Sequence, residues 1–293
     1  MLYDIGLRIR YEYQTPAAGG RHVLCMTPAD LTDQRPITSL LDITPTPDER
    51  IARTDFFGNT VVEVAFRAPH AEIEFRLRSR VERKVREISE DTSTALMQLA
   101  TEIAAIRALG SDSPHHFLAD SPRVKARVEF RDYALEQISP GTMTALQAVE
   151  AIGLAIDRDM AYEPGSTQVD TPPEEAFARG AGVCQDFTHI MIGCLRGIGV
   201  PAAYVSGFLR TNPPEGQERL EGADAMHAWV RAWCGPELGW VEYDPTNGIR
   251  VGEQHIVVAY GRDYGDVAPV RGVVRISGAQ ASSQAVDVVP LKP

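Results

Sequence analysis

The sequence has few cysteines, and their spacing excludes two common kinds of site. None of the four cysteines lies in a C-x-x-C pair, and no two histidines are spaced H-x-x-x-H, so a zinc site has no ligand pattern. Cys184 and Cys194 lie in one helical pattern, about 15 Å apart along its axis, whereas a disulfide needs Cα atoms within about 7 Å. We therefore expect no metal, no cofactor and no disulfide framework, and these spacings fit a reducing compartment.

The chain also lacks long apolar runs and an excess of positive charge. No run approaches the roughly 20 apolar residues that cross a bilayer, and residues Met1 to Tyr13 lack a signal-peptide core. The formal net charge of −11 disfavours nucleic acids and anionic membrane surfaces as partners, because they would repel the protein. We expect a cytoplasmic protein that binds neither nucleic acid nor membrane; the sequence leaves its oligomeric state open.

The order of the patterns predicts an α+β protein in two parts. Short alternating runs in residues 1–85 predict a small amino-terminal β-sandwich domain, and residues 86–293 predict a helical segment followed by a mixed catalytic unit. The residues from 280 to 293 suit an edge strand or a loose tail. The strand runs are Tyr3–Tyr13, His22–Met26, Thr60–Phe66 and Ile73–Val81, and the helical patterns are Ser93–Leu109 and Thr142–Met160.

The segment Asp55-Phe-Phe-Gly-Asn59 is typical of a turn between two strands, and Gly58 and Asn59 suit a positive φ. Two interpretations are open for it. It is either a hairpin turn anchored by its two phenylalanines or a surface that docks against the catalytic part.

Cys184 stands where a helix is predicted to begin. The small residues Gly180-Ala-Gly182 precede it, and apolar residues then recur at three- and four-residue spacing as one buried stripe, namely Phe187, Met191, Cys194 and Ile198. Unpaired amides and the helix dipole favour a thiolate in the first helical turn. The alternative for Cys184 is a structural cysteine in a helix cap.

His227 and Asp244 are predicted on the two strands of one hairpin. Residues 226–233 are rich in strand formers, the segment Gly235-Pro-Glu-Leu-Gly239 signals a turn, and residues 240–244 resume a strand that Pro245 would end. Folding the hairpin about its turn places the imidazole and the carboxylate as near neighbours. The alternative for His227 is a structural histidine.

Together these residues supply a thiol, an imidazole and a carboxylate, which are the three parts of a nucleophilic triad. An oxyanion also needs two donors, and the Cys184 backbone N–H is one candidate. The second donor stays open among Tyr162, Gln185 and a backbone amide near Gly182, with Trp229 as a further substrate contact. Asp186 should instead pair with an arginine or cap its own helix.

The chain resembles the bacterial transglutaminase-like family, a branch of the papain-like cysteine enzyme superfamily, over nearly its whole length. The motifs that carry the resemblance are Tyr162-Glu-Pro-Gly-Ser-Thr167, Gly182-Val-Cys-Gln-Asp-Phe187, Tyr204-Val-Ser-Gly207, His227-Ala-Trp229, Asp244-Pro-Thr-Asn-Gly248 and Ala259-Tyr-Gly-Arg-Asp-Tyr264, with Asp55-Phe-Phe-Gly-Asn59 and Pro69-His70 in the amino-terminal part. The resemblance implies a Cys-His-Asp triad, with the cysteine at the start of a helix packed on an antiparallel sheet. It does not imply one reaction, since members include cross-linkers, proteases, amidases and inactive chains.

Three functions remain open at this point. The first is a thiol-dependent hydrolase, a cysteine protease or amidase, that cleaves peptide or isopeptide amides through a thioester. It asks less of the site than binding two protein substrates. The second is a transglutaminase-type acyl transferase, in which an amine replaces water. The third is a binding module that keeps the fold without catalysis, and the intact triad counts against it.

We predict that Cys184 is alkylated faster near neutral pH than the other three cysteines, because it alone combines a helix start with a nearby imidazole. Brief alkylation followed by peptide mass spectrometry measures the order of labelling. Faster labelling of Cys25 or Cys234 would contradict the assignment of the nucleophile.

Overall fold

The computed structural model of the protein describes residues 1–85, 88–211 and 224–291. It confirms the α+β architecture: three antiparallel sheets are accompanied by short helices, and one small parallel pair of strands lies beside them. Two of the antiparallel sheets have four strands each and pack on one another as a β-sandwich, in which the His22 ring meets the Phe75 ring at 5.8 Å. The third sheet has five strands, and two of them carry His227 and Asp244.

The sandwich is built from six amino-terminal strands and two carboxyl-terminal ones. Its first sheet has the order β15-β1-β6-β3, and its second has the order β14-β2-β5-β4. The strands are β1 (Leu2–Ala17), β2 (Gly20–Leu24), β3 (Gln34–Thr44), β4 (Glu49–Thr54), β5 (Thr60–Phe66), β6 (His70–Arg83), β14 (Val270–Val274) and β15 (Gln280–Leu291).

The last two strands return to the sandwich and complete one edge of each sheet. Strand β15 pairs with β1 from Leu2↔Leu291 to Tyr13↔Gln280, and β14 pairs with β2. A division of the chain at residue 85 assigns these strands to the catalytic part, whereas their backbone hydrogen bonds join them to the amino-terminal strands. The boundaries 1–85 and 86–293 stay a prediction, and residues 280–291 form an edge strand, one of the two forms expected for them.

The five-stranded sheet has the order β12-β11-β10-β9-β13. Ala228, Val230 and Ala232 of its strand β10 are buried in the same core as the apolar face of helix α5.

None of the helices in the described residues is long and apolar enough to cross a bilayer. The remaining elements are α1 (Leu99–Ala105), α2 (Val128–Gln137), α3 (Ala145–Asp159), β7 (Ala161–Tyr162), α4 (Pro173–Arg179), β8 (Ala181–Gly182), α5 (Cys184–Gly197), β9 (Ala202–Leu209), β10 (Ala225–Trp233), β11 (Trp240–Asp244), β12 (Ile249–Arg250), β13 (His255–Gly261) and α6 (Tyr264–Val267).

Sequence patterns missed several elements, and the surroundings of β3, β4 and α2 explain why these were missed. Strand β4 is largely exposed and β3 has a register shift at Pro36, so neither shows clean alternation of apolar residues. Helix α2 buries Phe130 and Ala134, but charged residues are spread along its length, which weakens its apolar periodicity. The predicted helix over 93–109 is shorter, with only Leu99–Ala105 forming α1.

The turn before β5 is both a hairpin turn and a docking contact, but its two phenylalanines do not both anchor it. It joins β4 to β5, and Gly58 alone in the turn has a positive φ, of 88°, whereas Asn59 does not. The Asn59 side chain docks on strand β13, because its amide donates to the Tyr260 carbonyl and accepts from the Tyr260 N–H, both at 2.8 Å. Phe56 is 59% exposed, so it does not anchor the turn.

Gln34 makes the same kind of contact with β13 three residues earlier, at Val257. Its side-chain nitrogen donates to the Val257 carbonyl at 2.7 Å, and its oxygen accepts from the Val257 N–H at 2.8 Å. The amide nitrogen also donates to the Ala29 carbonyl at 2.8 Å. Two amide side chains of the amino-terminal part thus form hydrogen bonds with backbone groups along the outer edge of β13.

We predict that Gln34→Ala lowers the free energy of unfolding by about 1–3 kcal/mol, because it removes the side-chain partner of the Val257 N–H and of the Ala29 carbonyl, while the Val257 carbonyl keeps the Ala29 N–H at 3.0 Å. Chemical denaturation measures the change. Gln280→Ala is the matched control, since Gln280 is exposed on β15. Equal stability of the two variants would show that the Gln34 contacts do not hold the sandwich to the sheet.

Candidate active site

Helix α5 places Cys184 at its first residue and is capped by a buried carboxylate. The Asp186 oxygen Oδ2 accepts from the Val183 N–H at 2.8 Å and from the Thr167 hydroxyl at 2.6 Å. Asp186 therefore caps its own helix, one of the two roles expected for it, and it is only 1% exposed. A Cβ on Gly182 would come within 2.7 Å of this same oxygen, so the glycine makes room for the cap.

The four cysteines differ in their access to solvent. Cys25, Cys194 and Cys234 are buried, whereas Cys184 is partly exposed, and all four are free thiols. Burial raises the pKa of the Cys25 and Cys234 thiols to about 12, and it raises the pKa of Cys194 as well. Thiolate chemistry near neutral pH is therefore disfavoured at these three positions.

The hairpin of β10 and β11 brings the predicted imidazole and carboxylate together. The strands pair from Val230↔Tyr243 to Trp233↔Trp240, and Asp244 is the last residue of β11. The His227 Nε2–H group donates to Asp244 Oδ2 at 2.8 Å, and both side chains are buried. This leaves Nδ1 as the ring nitrogen for Cys184.

Cys184 and Asp244 together determine the charge state of His227. Burial acts to lower the pKa of His227, but hydrogen bonds to Asp244 and Cys184, together with their charges, outweigh burial and raise it to about 10. The imidazolium form of His227 is therefore favoured. Cys184 and Asp244 thus both act on the one imidazole.

Asp244 is fully buried and has four N–H donors. Its Oδ2 accepts from His227, from His255 Nε2 at 3.0 Å and from Asn247 Nδ2 at 2.7 Å, while Oδ1 accepts from the Thr246 N–H at 2.9 Å. Burial acts to raise the pKa of Asp244, but the hydrogen bonds and the charge of His227 hold it well below its usual range. The carboxylate stays ionised despite its burial.

Trp229 packs against both histidine rings and is fully buried. Its Nε1–H donates to Glu242 Oε2 at 2.8 Å, so this N–H is already bonded within the sheet, and the expected substrate contact stays a prediction. Its ring lies edge-on to the His255 ring, with centroids 5.2 Å apart. A Cβ on Gly207 would come within 2.3 Å of the Trp229 ring, so the glycine of β9 gives that ring its space.

The other candidate residues take different positions around the thiol. Tyr162 is 54% exposed on β7, and burial and the charge of Cys184 raise its pKa, so its phenol lies near the nucleophile. The Gly182 carbonyl accepts from the Glu163 N–H at 2.9 Å. Gln185 Nε2 donates to the Val169 carbonyl at 2.8 Å, so this side chain braces the loop before α4.

His255 and Asn247 are two site residues that sequence reasoning missed. Asn247 follows Asp244 in the same turn, where a short amide next to a proposed triad carboxylate was a usable signal. His255 begins a different strand, and no periodicity links it to the hairpin. In the described residues, His227, Asp244 and His255 form the one group whose nitrogen and oxygen atoms lie close enough to surround an ion, within 4.8 Å of one another. These atoms are hydrogen-bonded to one another and satisfy each other's polarity.

Comparison with known proteins agrees with this fold. Residues 3–82 match the model of the bacterial transglutaminase-like N-terminal region, and residues 132–245 match that of the transglutaminase-like superfamily. A crystal structure from Cytophaga hutchinsonii, described as that of a proposed cysteine protease, has a TM-score of 0.76 and 21% identity, covering 100% of this chain and 91% of that one.

The relatives cover both parts of the chain. An uncharacterized protein of Mycobacterium tuberculosis is 32% identical over 294 residues, covering 99% of this chain and 93% of that protein. An uncharacterized protein of Mycobacterium leprae is also 32% identical, over 285 residues, covering 96% of each. The chain therefore belongs to the transglutaminase-like superfamily and carries the bacterial transglutaminase-like amino-terminal region.

Proposed function

We propose that the protein is a thiol-dependent hydrolase that cleaves peptide or isopeptide amide bonds with Cys184, His227 and Asp244. One observation carries the proposal: His227 Nε2 lies 2.8 Å from Asp244 Oδ2, and Cys184 acts together with Asp244 to raise the pKa of the same imidazole. A buried imidazole between a thiol and an ionised carboxylate can accept a proton and return it. The fold neighbour described as a proposed cysteine protease is consistent with this chemistry.

The first half of the reaction forms a thioester. The Cys184 sulfur attacks the amide carbon, and the carbonyl electron pair moves to the oxygen. The Cys184 N–H lies in the first turn of α5, before any intrahelical bond, and stabilises the oxyanion; Tyr162 is our candidate for the second donor. The C–N bond then breaks, and the imidazolium of His227 gives its Nδ1 proton to the leaving amine.

The second half of the reaction releases the acid. Neutral His227 takes a proton from water, the hydroxide attacks the thioester carbon, and the C–S bond breaks to restore the thiolate. Asp244 holds the imidazole in the tautomer that has Nε2–H and leaves Nδ1 free for each proton transfer. An amine in place of water would give acyl transfer with the same three groups, so the acceptor decides between the two reactions.

We expect the wild type to cleave members of a peptide-amide library in water and Cys184→Ala to cleave none. Mass spectrometry of the products detects the new carboxylates. Cys25→Ala, which removes a buried thiol outside the site, is the matched control and should keep activity. New amides formed on addition of a lysine-like amine would indicate a transferase, and binding without any product would favour the binding module.

Replacing the imidazole or the carboxylate should affect turnover to different degrees. His227→Ala should abolish hydrolysis with the fold intact, because it removes the imidazole proposed to accept and return the thiol proton. Asp244→Asn should cost less than the roughly 10⁴-fold loss seen in serine-protease triads, since a thiolate depends less on proton abstraction.

The pH dependence follows from the same charges. The Asp244 carboxylate raises the pKa of His227, so Asp244→Asn lowers it and the alkaline limit of activity moves to lower pH. Steady-state kinetics across pH measure this limit, and circular dichroism monitors the fold. His116→Ala, at a partly exposed histidine, is the control. A fully active Asp244→Asn enzyme would mean that another group orients His227.

A further inference from the structure

His255 shares the carboxylate of Asp244 with His227, although no step of the proposed mechanism uses His255. The Nε2 atoms of both rings point at the same oxygen, Oδ2, from 2.8 Å for His227 and 3.0 Å for His255. His255 is only 2% exposed, and it begins β13, which is separated from the catalytic hairpin by β9 on one side. The second imidazole therefore reaches Asp244 from an independent element.

The hydrogen bonds of His255 establish which nitrogen carries its proton. The Gly252 N–H donates to Nδ1 at 3.3 Å, so Nδ1 is an acceptor, and Nε2–H is the donor to Asp244. The ring is thus a neutral donor. The Trp229 ring packs edge-on against it with an interplanar angle of 78°, which restricts its rotation.

We propose that His255 is a positioning residue that limits how strongly Asp244 stabilises the imidazolium form of His227. The carboxylate oxygen Oδ2 accepts three N–H groups, from His227, His255 and Asn247. Each additional donor withdraws charge from the oxygen and makes it a weaker partner for His227. The shared carboxylate keeps His227 protonated beside the thiolate, yet lets it release the proton to the leaving amine.

Charged and titratable groups other than His255 also surround His227 and Asp244, and their roles must be separated from that of His255. Glu242 of β11 does not compete, because its oxygens accept from Trp229 Nε1–H and the Tyr260 hydroxyl. Asp157 of α3 acts on Asp244 through charge only. The groups facing this cluster are Cys184 on α5, Tyr162 on β7, Tyr204 on β9, Asp244 and Glu242 on β11, and Asp157 on α3.

The test is the pH dependence of Cys184 alkylation by iodoacetamide, which needs no substrate. In His255→Leu the donor is lost, and we expect the upper inflection, where His227 loses its proton, to move to higher pH by about 0.5–1 unit. His255→Gln keeps an N–H donor of similar reach and should retain the wild-type inflection. His22→Leu replaces a buried histidine of the sandwich and is the matched control.

Hydrolysis provides the second readout. We expect kcat of His255→Leu to fall about tenfold, because the imidazolium gives up its proton less readily, and KM to change little. His255→Gln should recover most of the rate. Circular dichroism monitors the fold; if His255→Leu does not fold, His255→Asn replaces it, because its shorter amide does not reach Oδ2.

Three results would overturn the proposal. The alkylation inflection of the folded variant that lacks a donor at position 255 could stay unchanged, or it could move to lower pH. Alternatively, the inflection of His255→Gln could move as far as that of His255→Leu. The proposal rests on the function proposed above, but the two fail separately. If the wild type hydrolyses no amide, the alkylation profile still tests His255. If the wild type hydrolyses amides and the profiles coincide, only the role of His255 is lost.

Discussion

A carboxylate removed from water needs hydrogen bonds to its lone pairs, and the catalytic sheet is built to supply them to Asp244. The donors come from the hairpin strand β10, from the turn after β11 and from the start of β13. A buried charge without such partners would cost several kcal/mol, so the three elements hold one another in place through this single group. The geometry of the proposed triad and that of the sheet thus have the same physical origin, and a change that displaces β13 also displaces a donor to the Asp244 carboxylate that binds His227.

The amino-terminal part supports this arrangement from outside. Strand β13 is an edge strand, and an unpaired edge is free to slip or to pair with another chain. Gln34 binds both backbone groups of Val257, two residues after His255, and Asn59 binds those of Tyr260 further along. The sandwich therefore acts on the site through a strand edge, without contributing a member of the proposed triad.

The local order of the fold was readable from the sequence, and its long-range pairings were not. The helix start at Cys184 and the hairpin of residues 226–244 are short-range features, which apolar periodicity and turn residues specify. No local sequence pattern predicts the pairing of β15 with β1 or the contact of His255 with Asp244. Trp229 illustrates the same limit, because only the structure shows that its N–H is bonded to Glu242.

The pairing of Leu2 with Leu291 has a consequence for how the chain is made. A ribosome delivers β1 to β6 first, but the partners that cover β1 and β2 emerge only after the whole catalytic sheet. Until then each half of the sandwich has an open edge, and that of β1 is 16 residues long. Premature termination before Val270 would leave both edges bare and prone to pair with other nascent chains. Synthesis of the last two strands thus covers β1 and β2 and supplies the buried Val286 and Val288, while β14 and β15 become the new edges of their sheets.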